Sequence, residues 1–402
     1  MEMYLQFAHG MKQMSIDLAN DWKGATVILS PRDITPSQLE KWNPSFKKAG
    51  IKMLFDPQCY YPKCDHPKLV QYDYWDSSFS TNLESMENYE EGLIKKILKY
   101  NDIVGTTQFI IPSVMRAYNE SWFERWISDS EQIISAAKKI VTDRELILTL
   151  TLPEDLMSQK EDEIEKLIEI TEKFDVDGFY IIAKSPGDMY LVDKPLWLSN
   201  ILNLCAGLKL QNKKVIYGYG NHQMLSLSVT GIDAMATGTF LNVRRFTNKF
   251  EDTDNVKRKS TWYYYPPSLS EYKIPFLDVA FNNGVLNQMK PTKEMDLEYV
   301  DLLFSGVLPS STNFTETLAF KHYLNCVKIQ MKDLVKKSYK ETFATNELLL
   351  ESSRKRIESL ENNGVYAQGR SFEDVIDVNK SALQRLDKNR GLQLQLDWKN
   401  IK

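Results

Sequence analysis

Cysteine and histidine are scarce in this chain of 402 residues, with four of each. The cysteines (Cys59, Cys64, Cys205 and Cys326) are too few to staple a chain of this size, so a reducing, cytoplasmic setting is expected. No apolar run approaches the ~20 residues that span a bilayer. The opening Met1-Glu2-Met3-Tyr4-Leu5 has neither the basic nor the long apolar segment of a secretory leader, and no membrane role is expected. Also missing are a Gly-rich phosphate fingerprint, a Walker pattern and any second Cys/His cluster at zinc spacing. Cys59, Cys64 and His66 form a Cys-x4-Cys-x-His group that lacks a fourth ligand, so packing of a tyrosine-rich loop is the simpler reading. Neither a cofactor nor a metal is expected.

What is present is ordinary globular material, 43% hydrophobic and 26% charged, enough for a sizeable core. The net charge of −4 is unevenly spread, −8 over residues 1–240 and +4 over residues 241–402. A mildly basic C-terminal part would admit a phosphate-bearing or nucleic-acid partner; ordinary solvated surface is the simpler reading, because the basic excess is small.

Eight short apolar segments punctuate the first 240 residues: Met3–His9, Thr26–Ser30, Lys52–Asp56, Thr107–Pro112, Leu146–Thr151, Gly178–Ala183, Lys214–Tyr219 and Ile232–Gly238. Several, such as Phe179-Tyr180-Ile181-Ile182, are continuous rather than alternating. A strand is apolar on both sides only when both are covered. Helical patterns lie between most of them, at Thr35–Ala49, Met86–Tyr100, Trp122–Thr142, Glu161–Lys173 and Pro195–Leu208. The last is read as amphipathic, with Leu196, Ile201, Leu204 and Cys205 inward. Repeated βα units of this kind predict an α/β fold, a (β/α)8 TIM barrel over residues 1–240. Residues 241–402 read as an insertion plus a helical module packed on the barrel, with helices at Glu294–Phe304, Thr315–Lys340, Asn346–Glu361 and Phe372–Asn389. Those C-terminal helices could also dock a protein partner.

Barrel active sites sit where the strands end. The candidates there are His9; Ser30, Arg32 and Asp33; Asp56, Gln58 and Tyr60; Ser113 and Arg116; Thr151 and Glu154; Lys184, Ser185 and Asp188; Tyr219, Asn221 and His222; and Thr237, followed by Arg244 and Arg245. Asp56 ends the apolar run Met53-Leu54-Phe55. A carboxylate so placed is either a desolvated acid or base, or a cap for the turn at Pro57. His9 and His222 fall at strand ends and are candidate proton-transfer groups; a buried, hydrogen-bonded histidine is the alternative. Lys184, followed by Ser185-Pro186-Gly187-Asp188, suits anion binding better than Schiff-base chemistry. Arg244, Arg245, Lys249, Lys257, Arg258 and Lys259, followed by Trp262 and Tyr263–Tyr265, combine positive charge with aromatic faces, which suits a nucleotide or single strand; a solvated loop leading into an aromatic anchor is the simpler alternative. Glu251, Asp252 and Asp254 cancel part of that charge.

Five stretches also carry a family resemblance. Val215-Ile216-Tyr217-Gly218-Tyr219-Gly220, Met224-Leu225 and Val229-Thr230-Gly231-Ile232-Asp233-Ala234-Met235 resemble the Gly-x-Gly strand, helix and Gly-Val-Asp-Met approach of the tRNA-guanine transglycosylase superfamily, including its branch that inserts 7-deazaguanine into DNA. Asp56-Pro57-Gln58-Cys59-Tyr60 is similar in place to that family's Asp-Ser-Gly-Gly-Phe-Gln motif, and Phe320-Lys321-His322-Tyr323-Leu324-Asn325 resembles its His-bearing helix. The resemblance implies a barrel transferase that exchanges a base within nucleic acid, with Asp56 contacting the base. The departures are specific. Ala236 stands where the family's nucleophilic aspartate would be, Pro57-Gln58 replaces Gly-Gly, and only Cys326 remains near the family's zinc cysteines.

The leading expectation is an enzyme acting on a nucleobase or nucleoside unit, free or within nucleic acid. Asp56, His9 and His222 would be catalytic; Gln58, Tyr60, Lys184, Tyr219, Asn221, Arg244 and Arg245 would bind substrate. A carbohydrate-active or small-phosphate hydrolase is the second reading, with Asp56 and Glu154 as its carboxylates and Tyr60, Tyr61 and Trp75 stacking on sugars. A catalytically degenerate nucleic-acid-binding subunit of a larger assembly is the third.

Overall fold

The computed structural model describes residues 1–61, 66–75, 89–247, 260–292, 295 and 298–401. Eight parallel strands alternate with helices in a nearly closed ring. They are β1 (Glu2–Gln6), β2 (Ala25–Leu29), β3 (Ile51–Phe55), β4 (Gln108–Ile111), β5 (Glu145–Leu152), β6 (Gly178–Ala183), β7 (Lys214–Tyr217) and β8 (Ala234–Thr237). Hydrogen-bonded neighbours run β3-β2-β1-β8-β7-β6-β5-β4. The pairing of β1 with β8, Leu5 opposite Thr237, joins the two halves. β3 and β4 lie side by side, and no ladder joins them among the described residues. Above that seam the Met115 amide donates to the Tyr60 carbonyl at 2.8 Å. The fold is a (β/α)8 TIM barrel with C-terminal helices, and the continuous apolar runs are its doubly covered strands.

The ring of helices contains α1 (Met11–Trp22), α2 (Pro36–Lys48), α3 (Tyr89–Val104), α4 (Trp122–Ile140), the short α5 (Glu154–Met157), α6 (Glu161–Glu172) and α7 (Pro195–Leu210). Local chemistry starts α2 where the sequence suggests. Thr35 accepts from the Gln38 amide, Gln38 reaches back to the Thr35 amide, and Pro36 takes the first helical position. The β7–β8 connection is a 3₁₀ segment, His222–Thr230, rather than an α-helix.

The chain past β8 forms a hairpin, β9 (Trp262–Tyr265) with β10 (Ser270–Lys273), then α8 (Ile274–Asn282), α9 (Glu316–Leu334), α10 (Tyr339–Glu361) and α11 (Ile376–Ile401). α9 packs on β1 and α1, so it fills the place of the eighth barrel helix although it begins well past the expected boundary at residue 240. α11 lies along α7, where Arg390 donates to Glu165 of α6 at 2.6 and 2.8 Å and to Asn203 of α7 at 2.6 Å.

That contact corrects one expectation. α7 is not amphipathic: every residue from Trp197 to Lys209 is buried, because α11 covers its outer side. A helix apolar all round is a buried one. Two other helices also differ. The expected Thr315–Lys340 helix ends at Leu334, and a new one starts at Tyr339 with Ser338 and Glu341 forming a capping box. Within the expected Glu294–Phe304 helix, the described residues show only a 3₁₀ turn, Asp301–Phe304. One continuous core joins the barrel to α9, α10 and α11, and a smaller core lies under α8 and the β9–β10 hairpin. No helix among the described residues is long and apolar enough to cross a membrane.

Candidate active site

The strand ends bring Asp56, Gln58, Tyr60 and Tyr219 together. Asp56 follows β3 and has no solvent exposure. Its Oδ1 accepts from the Gln58 amide at 2.9 Å, and its Oδ2 accepts from the Tyr60 hydroxyl. The Tyr180 hydroxyl lies 3.4 Å from the same oxygen and donates to Gln6 Oε1 at 3.0 Å. Gln6 belongs to β1 and Tyr180 to β6, strands separated by β8 and β7, so these side chains meet across the barrel interior.

Gly218 makes that crossing possible. A Cβ there would stand 2.7 Å from the Tyr180 ring and 2.7 Å from the Ile182 side chain. Gln6 Nε2, also buried, has no hydrogen-bond partner among the described residues.

Gln58 carries the network outward. Its Nε2 donates to the Tyr219 hydroxyl at 3.1 Å, and its Oε1 accepts from Ser30 Oγ and the Arg32 amide, both at 3.1 Å. Ser30 Oγ also lies 2.8 Å from Asp33 Oδ2, so its single proton is shared between the two acceptors. Gln58 and Tyr219 both have left-handed backbone, φ 55° and 56°. Such conformations cost a side-chain-bearing residue about 1 kcal/mol or more and gather at functional sites. Phe246 closes the top, edge-on to Tyr60 and Tyr219 and stacked on Tyr61, with its carbonyl accepting from the Ser185 amide at 3.1 Å.

Burial governs the electrostatics. Desolvation pushes the Asp56 carboxyl up to about 7, and its hydrogen bonds from Tyr60, Gln58 and Tyr180 only partly oppose that rise. The groups acting on it are phenols and a backbone amide, with no cation among them. In its neutral form Asp56 can donate to the Tyr180 oxygen while Tyr180 donates to Gln6. Desolvation raises the Tyr60, Tyr180 and Tyr219 hydroxyls well above their ordinary value, so they remain neutral donors.

The other expected site residues lie elsewhere. His9 is exposed at the end of β1, on the side of Asp33. His222 is fully buried among Tyr190, Tyr264, Tyr323 and Phe372, apart from the Asp56 network. Among the described residues neither of its ring nitrogens makes a hydrogen bond of ordinary geometry, and burial lowers it to about 4. Asn221 caps the 3₁₀ segment by accepting from the Gln223 amide at 2.8 Å. Lys184 lies 3.6 Å from Glu154, so this carboxylate of the hydrolase reading is engaged in an ion pair. Arg245 donates to the Pro186 and Gly187 carbonyls, while Arg244 pairs with Glu271.

Two parts of the family resemblance find structural explanations. Asp233 lies before β8, at the opposite rim from Asp56, and accepts from Lys209 at 2.8 Å and the Val215 amide at 2.7 Å. His322 is buried against Tyr263, with Nε2 2.8 Å from the Tyr264 carbonyl. Cys59 is buried with Sγ on the Pro57 carbonyl, and His66 accepts from the Leu69 amide. Cys64 and Lys249, Lys257, Arg258 and Lys259 fall outside the described residues.

Sequence reasoning missed Tyr180 and Gln6. Both sit inside strands, and their polar ends point into a core that the apolar pattern alone defines.

No protein-family model matches the chain, and no curated protein matches it in sequence. Among solved structures it is similar to a 3-dehydroquinate dehydratase from Aquifex aeolicus VF5, at 12% identity over 59% of this chain and 89% of that one, TM-score 0.34. It is similar to a probable tagatose 6 phosphate kinase from Sinorhizobium meliloti 1021, at 10% identity over 96% and 98%, TM-score 0.34. A third likeness is the enoyl reductase domain of MlnA from Bacillus amyloliquefaciens, at 10% identity over 98% and 95%, TM-score 0.31. Likenesses this distant transfer no function.

Proposed function

We propose that this barrel is an enzyme whose acid–base group is Asp56, acting on a neutral, hydrogen-bonding ring of the nucleobase type, free or within nucleic acid. One observation carries the reading: a carboxyl group buried completely at the strand ends, surrounded by neutral donors and acceptors, poised to hold or release a proton near neutral pH. An uncompensated buried carboxylate costs several kcal/mol when ionised, an arrangement typical of acid–base sites. The amides of Gln6 and Gln58 and the hydroxyls of Tyr60, Tyr180 and Tyr219 offer the mixed donors and acceptors that the edge of a base requires. Phe246 and Tyr61 offer the flat faces.

The placement of Asp56 after the third strand and the likeness of Gly218-Tyr219-Gly220 to the tRNA-guanine transglycosylases support base exchange as the specific reaction. Ala236, fully buried in β8, supplies no nucleophile, so a covalent double displacement would need another carboxylate. Asp33, joined to Gln58 through Ser30, is the carboxylate that this network reaches.

The test is incubation of the chain with tRNA or duplex DNA and labelled guanine or 7-deazaguanine, alongside calorimetry with the free bases. Base exchange or base binding that falls by ~10²–10⁴-fold in rate, or is lost, in Asp56→Asn supports the reading. Absence of both with wild type, or an Asp56→Asn variant equal to wild type, overturns it.

A further inference from the structure

A second polar cluster is buried beyond the barrel mouth, where the chain leaving β8 meets the C-terminal helices. Glu271 of β10 accepts through Oε2 from Arg370 at 2.7 Å and lies 3.4 Å from Arg244 Nη1. Arg244 also donates from Nε to the Gly238 carbonyl at 2.8 Å. The Arg244 guanidinium lies 3.4 Å from the centre of the Tyr323 ring, and that of Arg370 lies 4.0 Å from the centre of the Trp262 ring. Aromatic faces thus fix both guanidinium planes, and the N–H groups not engaged by Glu271 and the Gly238 carbonyl remain for other partners. Two arginines share one glutamate, so the buried trio carries one net positive charge.

These side chains line a cavity of about 80 Å³ together with Thr239 and Phe320. Two further atoms in its walls ask for a ligand. Glu271 Oε1 and Thr239 Oγ1 have no hydrogen-bond partner among the described residues, although the residues are only 3% and 2% exposed. A buried carboxylate oxygen without a donor is costly. Glu316, half-buried, also lines the cavity and offsets the positive charge on its own side. Leu241 and Ser260, both exposed, mark its open side.

We propose that this cavity is a binding subsite for a small oxyanion, a phosphate or carboxylate group, on a molecule that also carries hydroxyls. The arginine edges take the oxyanion, bidentate in the manner guanidinium favours. Glu271 Oε1 accepts from a ligand hydroxyl, and Thr239 gives or takes one more hydrogen bond. The space admits one such group with its neighbouring atoms, and the rest of the molecule extends past Leu241 and Ser260. Loops that follow the last strands of such barrels commonly hold phosphate. The proposal stands on this geometry alone and does not require chemistry at Asp56.

Calorimetry with ribose 5-phosphate, glycerate and unsubstituted ribose tests it on the full chain. Saturable binding of ribose 5-phosphate or glycerate, at least tenfold tighter than ribose, is expected; the tighter of the two assigns phosphate or carboxylate. Arg370→Gln is expected to weaken it at least tenfold and Thr239→Val several-fold, while Asp56→Asn leaves it unchanged. No saturable binding of either anion, equal binding of ribose, or wild-type affinity in both a folded Arg370→Gln and Thr239→Val overturns the proposal. Loss of binding in Asp56→Asn overturns it as well, because the ligand would then sit at the barrel mouth.

Discussion

Gln58 and Tyr219 leave the ends of β3 and β7, both with left-handed backbone, and their side chains meet in a hydrogen bond of 3.1 Å. Two uncommon backbone conformations thus converge on one contact beside Asp56. Tyr219→Phe removes that bond and leaves the buried Gln58 amide one partner short. The expected cost is about 1–3 kcal/mol in urea unfolding. An unchanged midpoint would show that this contact contributes nothing to holding the mouth.

Stability should depend on pH through Asp56. Its folded-state pKa is raised from 3.8 to about 7, so the unfolded chain releases the proton first. The contribution is complete below about pH 4 and disappears as the pH climbs through about 7, on the order of 4 kcal/mol in all. His222 and His322, lowered to about 4, act in the opposite sense, their contribution being lost as the pH falls from about 6.5 to about 4. The difference between wild type and Asp56→Asn cancels the histidines. Denaturant titrations from pH 4 to 8 should show the variant gaining on wild type as the pH rises; a flat difference would contradict the assignment.

Gly218 is required by close packing. Gly218→Ala places a methyl group 2.7 Å from the Tyr180 ring and the Ile182 side chain. The expected loss is about 1–3 kcal/mol, with displacement of the Tyr180 hydroxyl from Gln6 and Asp56. Thermal denaturation checks the first effect, and a shifted Asp56 titration checks the second.

Asp233 belongs to the structural rim of the barrel. Asp233→Ala leaves Lys209, which is 6% exposed, and the Val215 amide without their acceptor. A loss of about 1–3 kcal/mol is expected, with any Asp56-dependent base binding retained in the folded variant. Selective loss of binding at full stability would instead place Asp233 in the chemistry.

The sequence reveals much of this arrangement. The strands sit within a few residues of the apolar runs because double burial leaves an unmistakable pattern, and Asp56, Gln58, Tyr60 and Tyr219 converge because each ends or follows a strand. Tyr180 was hidden inside Phe179–Ile182, where a phenol reads as one more core ring. Glu271 and Arg370 were illegible because their partner Arg244 is distant in the chain and no periodicity links them. The burial of α7 is legible in its composition: Pro195–Leu210 contains a single charged residue, Lys209, too few for a solvated helix face. The role of α9 as a barrel helix was not, since the long segment between β8 and Glu316 separates it from its ring.

The most direct measurement is titration of the Asp56 carboxyl by ¹³C NMR, with Asp56→Asn to assign the resonance and Tyr60→Phe as a perturbation. The account predicts a midpoint near pH 7, moving higher in Tyr60→Phe because the lost hydroxyl stabilised the ionised form. A midpoint near 4, the ordinary carboxyl range, would contradict it.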